Sequence, residues 1–200
     1  MEQGTTLFNN VTEQKIHFIT QGIQYYVVGR FARLKLTGAF HNVSTILFHH
    51  VIEFFLKAAL SDHYTLKTLK NKRHDLPSLV KLYKIKFPES QVIDNIKFIN
   101  DFHKIYKTRY VEADGSHRIG FTSYSLTRTK RNTATFKGKR IKFDLEFSLE
   151  EIDEVIYNIC RDIELHPTTI FEYIKHIVKD CPEFYEHNAF FIKTTNKRNY

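Results

Sequence analysis

Two adjacent histidines and one glutamate interrupt an otherwise apolar run, HHVIEFFLKAAL, at residues 49–60. Imidazole nitrogens and carboxylates are groups that bind transition metals or move protons. His49 and Glu53 are four residues apart and therefore share one face of a helix. The metalloprotease signature instead places two histidines four apart, with the glutamate beside the first. The spacing of His49, His50 and Glu53 thus favours polar contacts between helices over a metal site, and no metal or cofactor is predicted.

The composition is typical of a folded domain that carries excess positive charge. Apolar residues make up 42% of the 200 residues and aromatic residues 14%. This length suits one domain with a sizeable core, so we expect a single domain over 1–200, with 116–147 as an insertion and 185–200 as a tail. Thirty Lys and Arg against 22 Asp and Glu give a formal net charge of +8, which favours polyanionic partners such as RNA.

The sequence carries no recognisable targeting or membrane segment. Its start, MEQGTTLFNN, has neither the basic nor the apolar region of a secretory signal. The two cysteines, Cys160 and Cys181, are too few for a disulfide framework and too far apart for a zinc knuckle, so we expect buried or inert thiols. The expected location is the cytoplasm, without membrane attachment.

Apolar residues spaced three and four apart predict helices along most of the chain. Gly22 and Gly29 interrupt the first helix, and we expect them where a second helix approaches closely. Ser148 and Glu151 form a capping-box sequence that predicts the start of the last long helix. The predicted helices are residues 8–36, 42–60, 76–84, 91–110, 149–165 and 168–179.

Between the third and the last long helices, the periodicity changes to the alternation of a half-exposed strand. The segments GFTSYSLTRT (120–129) and ATFKGKRIKFDLEF (134–147) are expected to form a β-hairpin. Its turn lies either at 130–133 or at 137–139. The predicted fold is therefore mainly α, a helical bundle with a β-hairpin inserted before its last long helix.

The histidine-containing helix resembles the second helix of the HEPN family (higher eukaryotes and prokaryotes nucleotide-binding), whose pattern is roughly H-x-A-I-E-x-x-L-K-A-x-L. Residues 25–34, YYVVGRFARL, are similar to the first helix of that family, in which an aromatic pair precedes an A-R-x-L segment. Residues 74–76, HDL, resemble the H-D-L that follows the second helix, and residues 109–110, RY, resemble the R-Y that ends the third. The resemblance covers about residues 15–112 and extends weakly to 165.

This resemblance implies an antiparallel bundle of four or five helices, usually assembled as a homodimer. The functions that it implies range from RNA cleavage to non-catalytic partnership with a nucleotidyltransferase or another protein. Catalytic members of the family carry R-x(4–6)-H, in which the histidine moves a proton and the arginine neutralises the phosphate. Arg161 and His166 have this spacing, although Asp162 replaces the usual polar amide. Arg109 and His117 lie at a more typical position, after the third helix, with seven residues between them.

The same residues also have structural interpretations. Arg161 and His166 are suited to the carbonyls at a helix C-terminus, with Arg161 paired to Asp162 or Glu164.

A buried Glu53 needs a cation, for which Arg109 is a candidate. His74 and Asp75 are expected to cap the helix that starts at Leu76 rather than to contact a ligand.

Basic residues are concentrated in the predicted hairpin. Residues 118–143 hold eight of them and no acidic residue, whereas 146–154 hold five acidic residues. Aromatic residues among the cations would stack on bases while the cations follow the phosphates. The alternative is a solvated strand face. The candidate nucleic-acid-binding residues are Arg128, Lys130, Arg131, Lys137, Lys139 and Arg140.

Three functions are compatible with the sequence. The first is a non-catalytic or regulatory module that binds nucleic acid or a nucleotide, which agrees with the basic segment and the imperfect R-x-H motifs. The second is a metal-independent endoribonuclease of the toxin or defence type. The third is a scaffold that binds a protein partner.

Overall fold

The computed structural model describes residues 13–35, 41–107, 119–122, 133–136, 139–142, 145–166, 169–170, 175, 179 and 184. These residues are mainly helical. Helices lie within the predicted ranges 8–36, 91–110 and 149–165 and over the predicted 42–60 and 76–84, whereas the short helix Leu66–Asn71 is not among those predicted. The predicted helix over 168–179 lies largely outside the described residues. The helices are α1 (Glu13–Lys35), α2 (His41–Leu60), α3 (Leu66–Asn71), α4 (Leu76–Lys86), a short 3₁₀ helix (Gln91–Asn95), α5 (Ile96–Lys107) and α6 (Leu149–Asp162).

Helix α2 lies at the centre of this arrangement, because α1, α4, α5 and α6 all contact it. Apolar spacing predicts one buried stripe on α2, but the helix is buried on nearly every side from Phe48 to Leu60. The prediction of one stripe assumes that the opposite side of the helix faces solvent, whereas α2 is surrounded by other helices. Near its start the helix is more open, and Val43 is 46% exposed.

By length and mean hydropathy, one helical stretch of the described residues, Val43–Leu60, is apolar enough to cross a membrane. Of this stretch, 72% is buried inside the fold. Burial by neighbouring helices accounts for its composition, because a central helix must be apolar on several faces.

Glycines bring α1 and α2 into close contact, as predicted. A Cβ atom at Gly22 would lie 2.8 Å from the ring of Phe55, and one at Gly29 would lie 3.2 Å from Cβ of Leu47. The missing side chains are therefore what allows the two backbones to approach.

Among the described residues between α5 and α6, four short strands are present: β1 (Ile119–Thr122), β2 (Thr133–Phe136), β3 (Lys139–Lys142) and β4 (Leu145–Ser148). β2 and β3 pair antiparallel, with residues 137–138 between them. β1 pairs parallel with β4, with Ile119 opposite Leu145. The single hairpin predicted for 120–129 and 134–147 differs from this pairing. Parallel strands require a long connection, and β2 and β3 lie within it.

The start of α6 confirms the predicted capping box. The Ser148 hydroxyl accepts a hydrogen bond from the Glu151 amide at 3.3 Å, and the Glu151 carboxylate accepts one from the Ser148 amide at 2.9 Å. Because Ser148 is also the last residue of β4, the strand passes directly into the helix.

Candidate functional site

Four histidines gather around Glu53 at one end of α2, and we call this group the histidine cluster. His49, His50 and Glu53 come from α2, and His103 comes from α5. His74 lies in the turn between α3 and α4. That turn depends on Arg73, whose φ of 44° is in the left-handed region. Lys57 fixes the turn by donating a hydrogen bond to the Arg73 carbonyl at 2.9 Å.

Glu53 is the buried centre of the histidine cluster, with 2% of its side chain exposed. Its Oε1 accepts a hydrogen bond from Lys57 Nζ at 2.6 Å. Its Oε2 lies 2.9 Å from His74 Nδ1 and 3.3 Å from His50 Nδ1. Burial alone would raise the pKa of Glu53, but the hydrogen bonds from His50, Lys57 and His74 lower it to about 2. The carboxylate is therefore ionised at neutral pH.

His49 is fully buried beneath Glu53. Its ring stacks on Tyr106 at a centroid distance of 3.7 Å, and its Nε2 lies 3.1 Å from His103 Nδ1. Burial lowers the pKa of His49 to about 2 although Glu53 opposes this shift, so the imidazole is neutral at physiological pH. Among the described residues, none hydrogen-bonds its Nδ1.

The outer edge of the histidine cluster reaches solvent. Of the His74 side chain 49% is exposed, and of His50 17%. The ring of Tyr25 covers part of His50 at a centroid distance of 5.3 Å. Both His50 and His74 direct Nδ1 to the same carboxylate oxygen, and no hydrogen bond from the described residues reaches the Nε2 of either ring. Imidazoles that a carboxylate orients in this way are able to move a proton or to bind a metal.

Asp75, beside His74, is the N-cap residue of α4 and accepts a hydrogen bond from the Ser78 amide at 3.4 Å. The structure thus brings together all five residues predicted to make structural polar contacts: His49, His50, Glu53, His74 and Asp75.

Three residues at this site, Lys57, His103 and Tyr106, are not among the candidates that the sequence indicates. Lys57 follows Glu53 by four residues, a spacing that by itself indicates an ion pair on one helix face. His103 and Tyr106 lie three apart on α5, where they continue the apolar stripe. Arg109, the predicted partner of Glu53, lies outside the described residues.

The candidate catalytic pairs lie elsewhere or outside the described residues. Arg161 is exposed, donates a hydrogen bond to Gln91 at 2.9 Å and lies 3.8 Å from Asp162. Asp162 also accepts hydrogen bonds from the hydroxyls of Tyr83 and Ser90. These contacts join the end of α6 to α4 and to the 3₁₀ helix.

His166 is exposed and follows the end of α6. Glu164, between Arg161 and His166, has a φ of 56°. This left-handed backbone turns the chain out of helical register, so Arg161 and His166 do not occupy successive turns of one helix. His117 lies outside the described residues.

The register of β2 and β3 places alternate residues of the two strands on opposite faces of the pair. Thr133 is opposite Lys142 and Thr135 is opposite Arg140, and such partners share a face of the strand pair. The other face holds Ala134 opposite Ile141 and Phe136 opposite Lys139. The remaining candidate nucleic-acid-binding residues, Arg128, Lys130, Arg131 and Lys137, lie outside the described residues.

No family model, no curated protein and no solved structure matches this chain.

Proposed function

We propose that this chain is a HEPN-like helical bundle that binds RNA or a nucleotide without cleaving it, and that it acts as a cytoplasmic homodimer. The observation that carries the proposal is the segregation of charge. Eight basic residues and no acidic residue occupy 118–143, within a chain of net charge +8. Cations that neutralise phosphates supply most of the affinity of sequence-tolerant nucleic-acid binding.

The strand register supports a binding role for this basic segment, which we define as residues 118–143. One face of the β2–β3 pair holds Arg140 and Lys142 with two threonines, all of which are side chains able to contact phosphates. The opposite face holds Phe136 opposite Lys139, and an aromatic ring offers a surface on which bases stack.

The HEPN-like part of the proposal is supported by the place where the resembling motifs meet. Tyr25, from the first motif, contacts the ring of His50, from the second. His74, from the H-D-L segment, lies 2.9 Å from Glu53. Three segments that are far apart in the sequence thus share one cluster, as expected if they belong to one ancestral pattern.

The proposal is tested by measuring the affinity of the purified protein for a fluorescently labelled single-stranded RNA at several salt concentrations. The test variant replaces four basic residues by glutamine: Lys130, Arg131, Lys139 and Arg140. Affinity should fall, and the slope of log affinity against log salt should become shallower by about 0.7 for each phosphate that the variant no longer neutralises.

A matched control replaces four exposed lysines of α3 and α4 by glutamine: Lys67, Lys70, Lys81 and Lys84. Both variants lose the same net charge, so a loss confined to the basic-segment variant shows that the position of the charge matters. Equal losses in the two variants, or binding that does not change with salt, would contradict the proposal.

The enzymatic alternative is tested with the same RNA. The proposal predicts that the RNA stays intact during incubation with the protein in EDTA. If the wild type cleaves the RNA and His117→Ala or His166→Ala does not, the proposal is wrong and the protein is a metal-independent endoribonuclease.

A further inference from the structure

We propose that His49, His50 and Glu53 bind a divalent transition-metal ion of the Zn²⁺ class. One ring nitrogen of each histidine and one carboxylate oxygen of Glu53 lie within 4.8 Å of one another. Two imidazoles and one carboxylate are a donor set found in zinc sites. This site lies on α2 and uses none of the basic segment.

The spacing of His50 and Glu53 fits shared metal coordination. Their Nδ1 and Oε2 atoms are 3.3 Å apart, and an ion bound to both would replace the proton of the hydrogen bond between them. Zinc bonds of about 2.0–2.1 Å at tetrahedral angles separate two ligand atoms by about 3.3–3.4 Å. An ion between these two atoms would therefore need little movement of either side chain.

His49 provides the independent observation. Its Nδ1 is buried and makes no hydrogen bond with the described residues, although buried polar atoms are normally satisfied. Its Nε2 already contacts His103 at 3.1 Å, which leaves Nδ1 as the nitrogen available to an ion. Because the ligand atoms of the three residues lie within 4.8 Å of one another, a closure of at most about 1.5 Å would bring them to tetrahedral spacing.

The surrounding residues hold these three side chains in the way that partners of metal ligands do. Lys57 donates a hydrogen bond to Oε1 of Glu53 at 2.6 Å, so Oε2 is the oxygen that faces the histidines. His74 hydrogen-bonds the same Oε2 at 2.9 Å from the solvent side, where water can complete the coordination. His103 fixes the orientation of the His49 ring.

Sequence spacing favours helix packing for these residues because it differs from the metalloprotease signature. The metalloprotease signature is only one of the arrangements in which proteins bind zinc. The structure adds an unsatisfied buried nitrogen and a carboxylate oriented by Lys57, neither of which is visible in the spacing.

The test uses full-length protein without a histidine tag, stripped with EDTA and then dialysed. Titration with Co²⁺ should give the visible absorption bands of a tetrahedral site, saturating at one ion per chain. Zn²⁺ should displace the Co²⁺ and raise the melting temperature. Mg²⁺ should do neither, because imidazole ligands select transition metals.

Two variants probe the ligands, His50→Gln and Glu53→Gln, with exposed His17→Gln as the matched control. His50→Gln should weaken binding by about tenfold or more, whereas His17→Gln should bind like the wild type. Circular dichroism first establishes whether Glu53→Gln folds. If it folds, its Co²⁺ affinity tests the carboxylate as a ligand. If it does not fold, the Co²⁺ affinity of His50→Gln, whose substitution is at a partly exposed position, tests the metal site.

Absence of the cobalt bands, or equal Co²⁺ affinity of His50→Gln and the wild type, would contradict the proposed metal site. The histidine cluster would then serve only to join helices. Because RNA binding is assigned to the basic segment, His50→Gln should retain it, and either proposal can fail without the other.

Discussion

Arg30 of α1 and Asp153 of α6 form an ion pair whose side chains are both fully buried. Arg30 Nη1 donates to the two carboxylate oxygens at 3.0 and 3.1 Å, and the Tyr26 hydroxyl donates to the same carboxylate at 2.8 Å. Burial disfavours the charged guanidinium, but Asp153 outweighs this effect and raises the pKa of Arg30. The first and last long helices are therefore joined by a charge pair inside the core.

Removing one partner of this pair should be strongly destabilising. Asp153→Asn removes the carboxylate charge that faces the buried guanidinium of Arg30, and breaking a buried ion pair in this way costs about 3–5 kcal/mol in the free energy of unfolding. The double variant Arg30→Met/Asp153→Leu buries no charge and should be more stable than Asp153→Asn. Urea denaturation followed by circular dichroism measures both differences.

The exposed pair of Lys97 and Asp101, which lie 2.9 Å apart, provides the control. Water and salt screen such a pair, so Lys97→Gln should leave the urea midpoint unchanged. A wild-type midpoint for Asp153→Asn would show that the buried pair does not hold α1 and α6 together.

The two helix-facing glycines should respond differently to the same substitution. At Gly22 a methyl group would lie 2.8 Å from the ring of Phe55, whereas at Gly29 the nearest atom would be 3.2 Å away. Gly22→Ala should lose about 1–2 kcal/mol of stability, because overpacking outweighs the better helix propensity of alanine. Gly29→Ala should be closer to neutral. Comparison of the melting temperatures tests this order, and a more stable Gly22→Ala would contradict the packing.

Local rules account for the features that the sequence predicted well. The capping box at Ser148 depends on two residues within a few positions of each other, and the two glycines stand out within the apolar spacing of α1 itself. The residue types at His49, His50 and Glu53 indicated a polar cluster for the same reason.

Features that depend on docking were not predictable from spacing. Arg30 follows Tyr26 by four residues and so shares the apolar face of α1, but its partner lies 123 positions away. His103 joins the histidine cluster only because of the way α5 packs on α2. Likewise, alternation predicts a strand within 120–129 but does not specify its partner, and β1 pairs with β4.

The capping box should contribute measurably to the stability of α6. Ser148→Ala removes the acceptor for the Glu151 amide and should cost about 1 kcal/mol. Ser148→Asp restores an acceptor at the same position and should recover most of the loss. Urea denaturation of the three proteins tests this order. If alanine and aspartate had equal effects, the hydrogen bond would not be the source of the stability.

Cys160 should be unreactive in the folded protein and reactive once the protein unfolds. The side chain is fully buried on α6, and burial raises the pKa of its thiol well above the usual range. Thiol reagents attack the thiolate, so both burial and the raised pKa slow the reaction. The variant Cys181→Ser leaves Cys160 as the only thiol of the chain. In buffer, the thiol of Cys160 should react slowly with Ellman's reagent, even at about pH 9 where free cysteine reacts rapidly. In concentrated urea, it should react at once and release one equivalent of thionitrobenzoate. A rapid reaction of one equivalent in buffer would show that α6 opens readily and that the helix is not fixed by the core contacts described above.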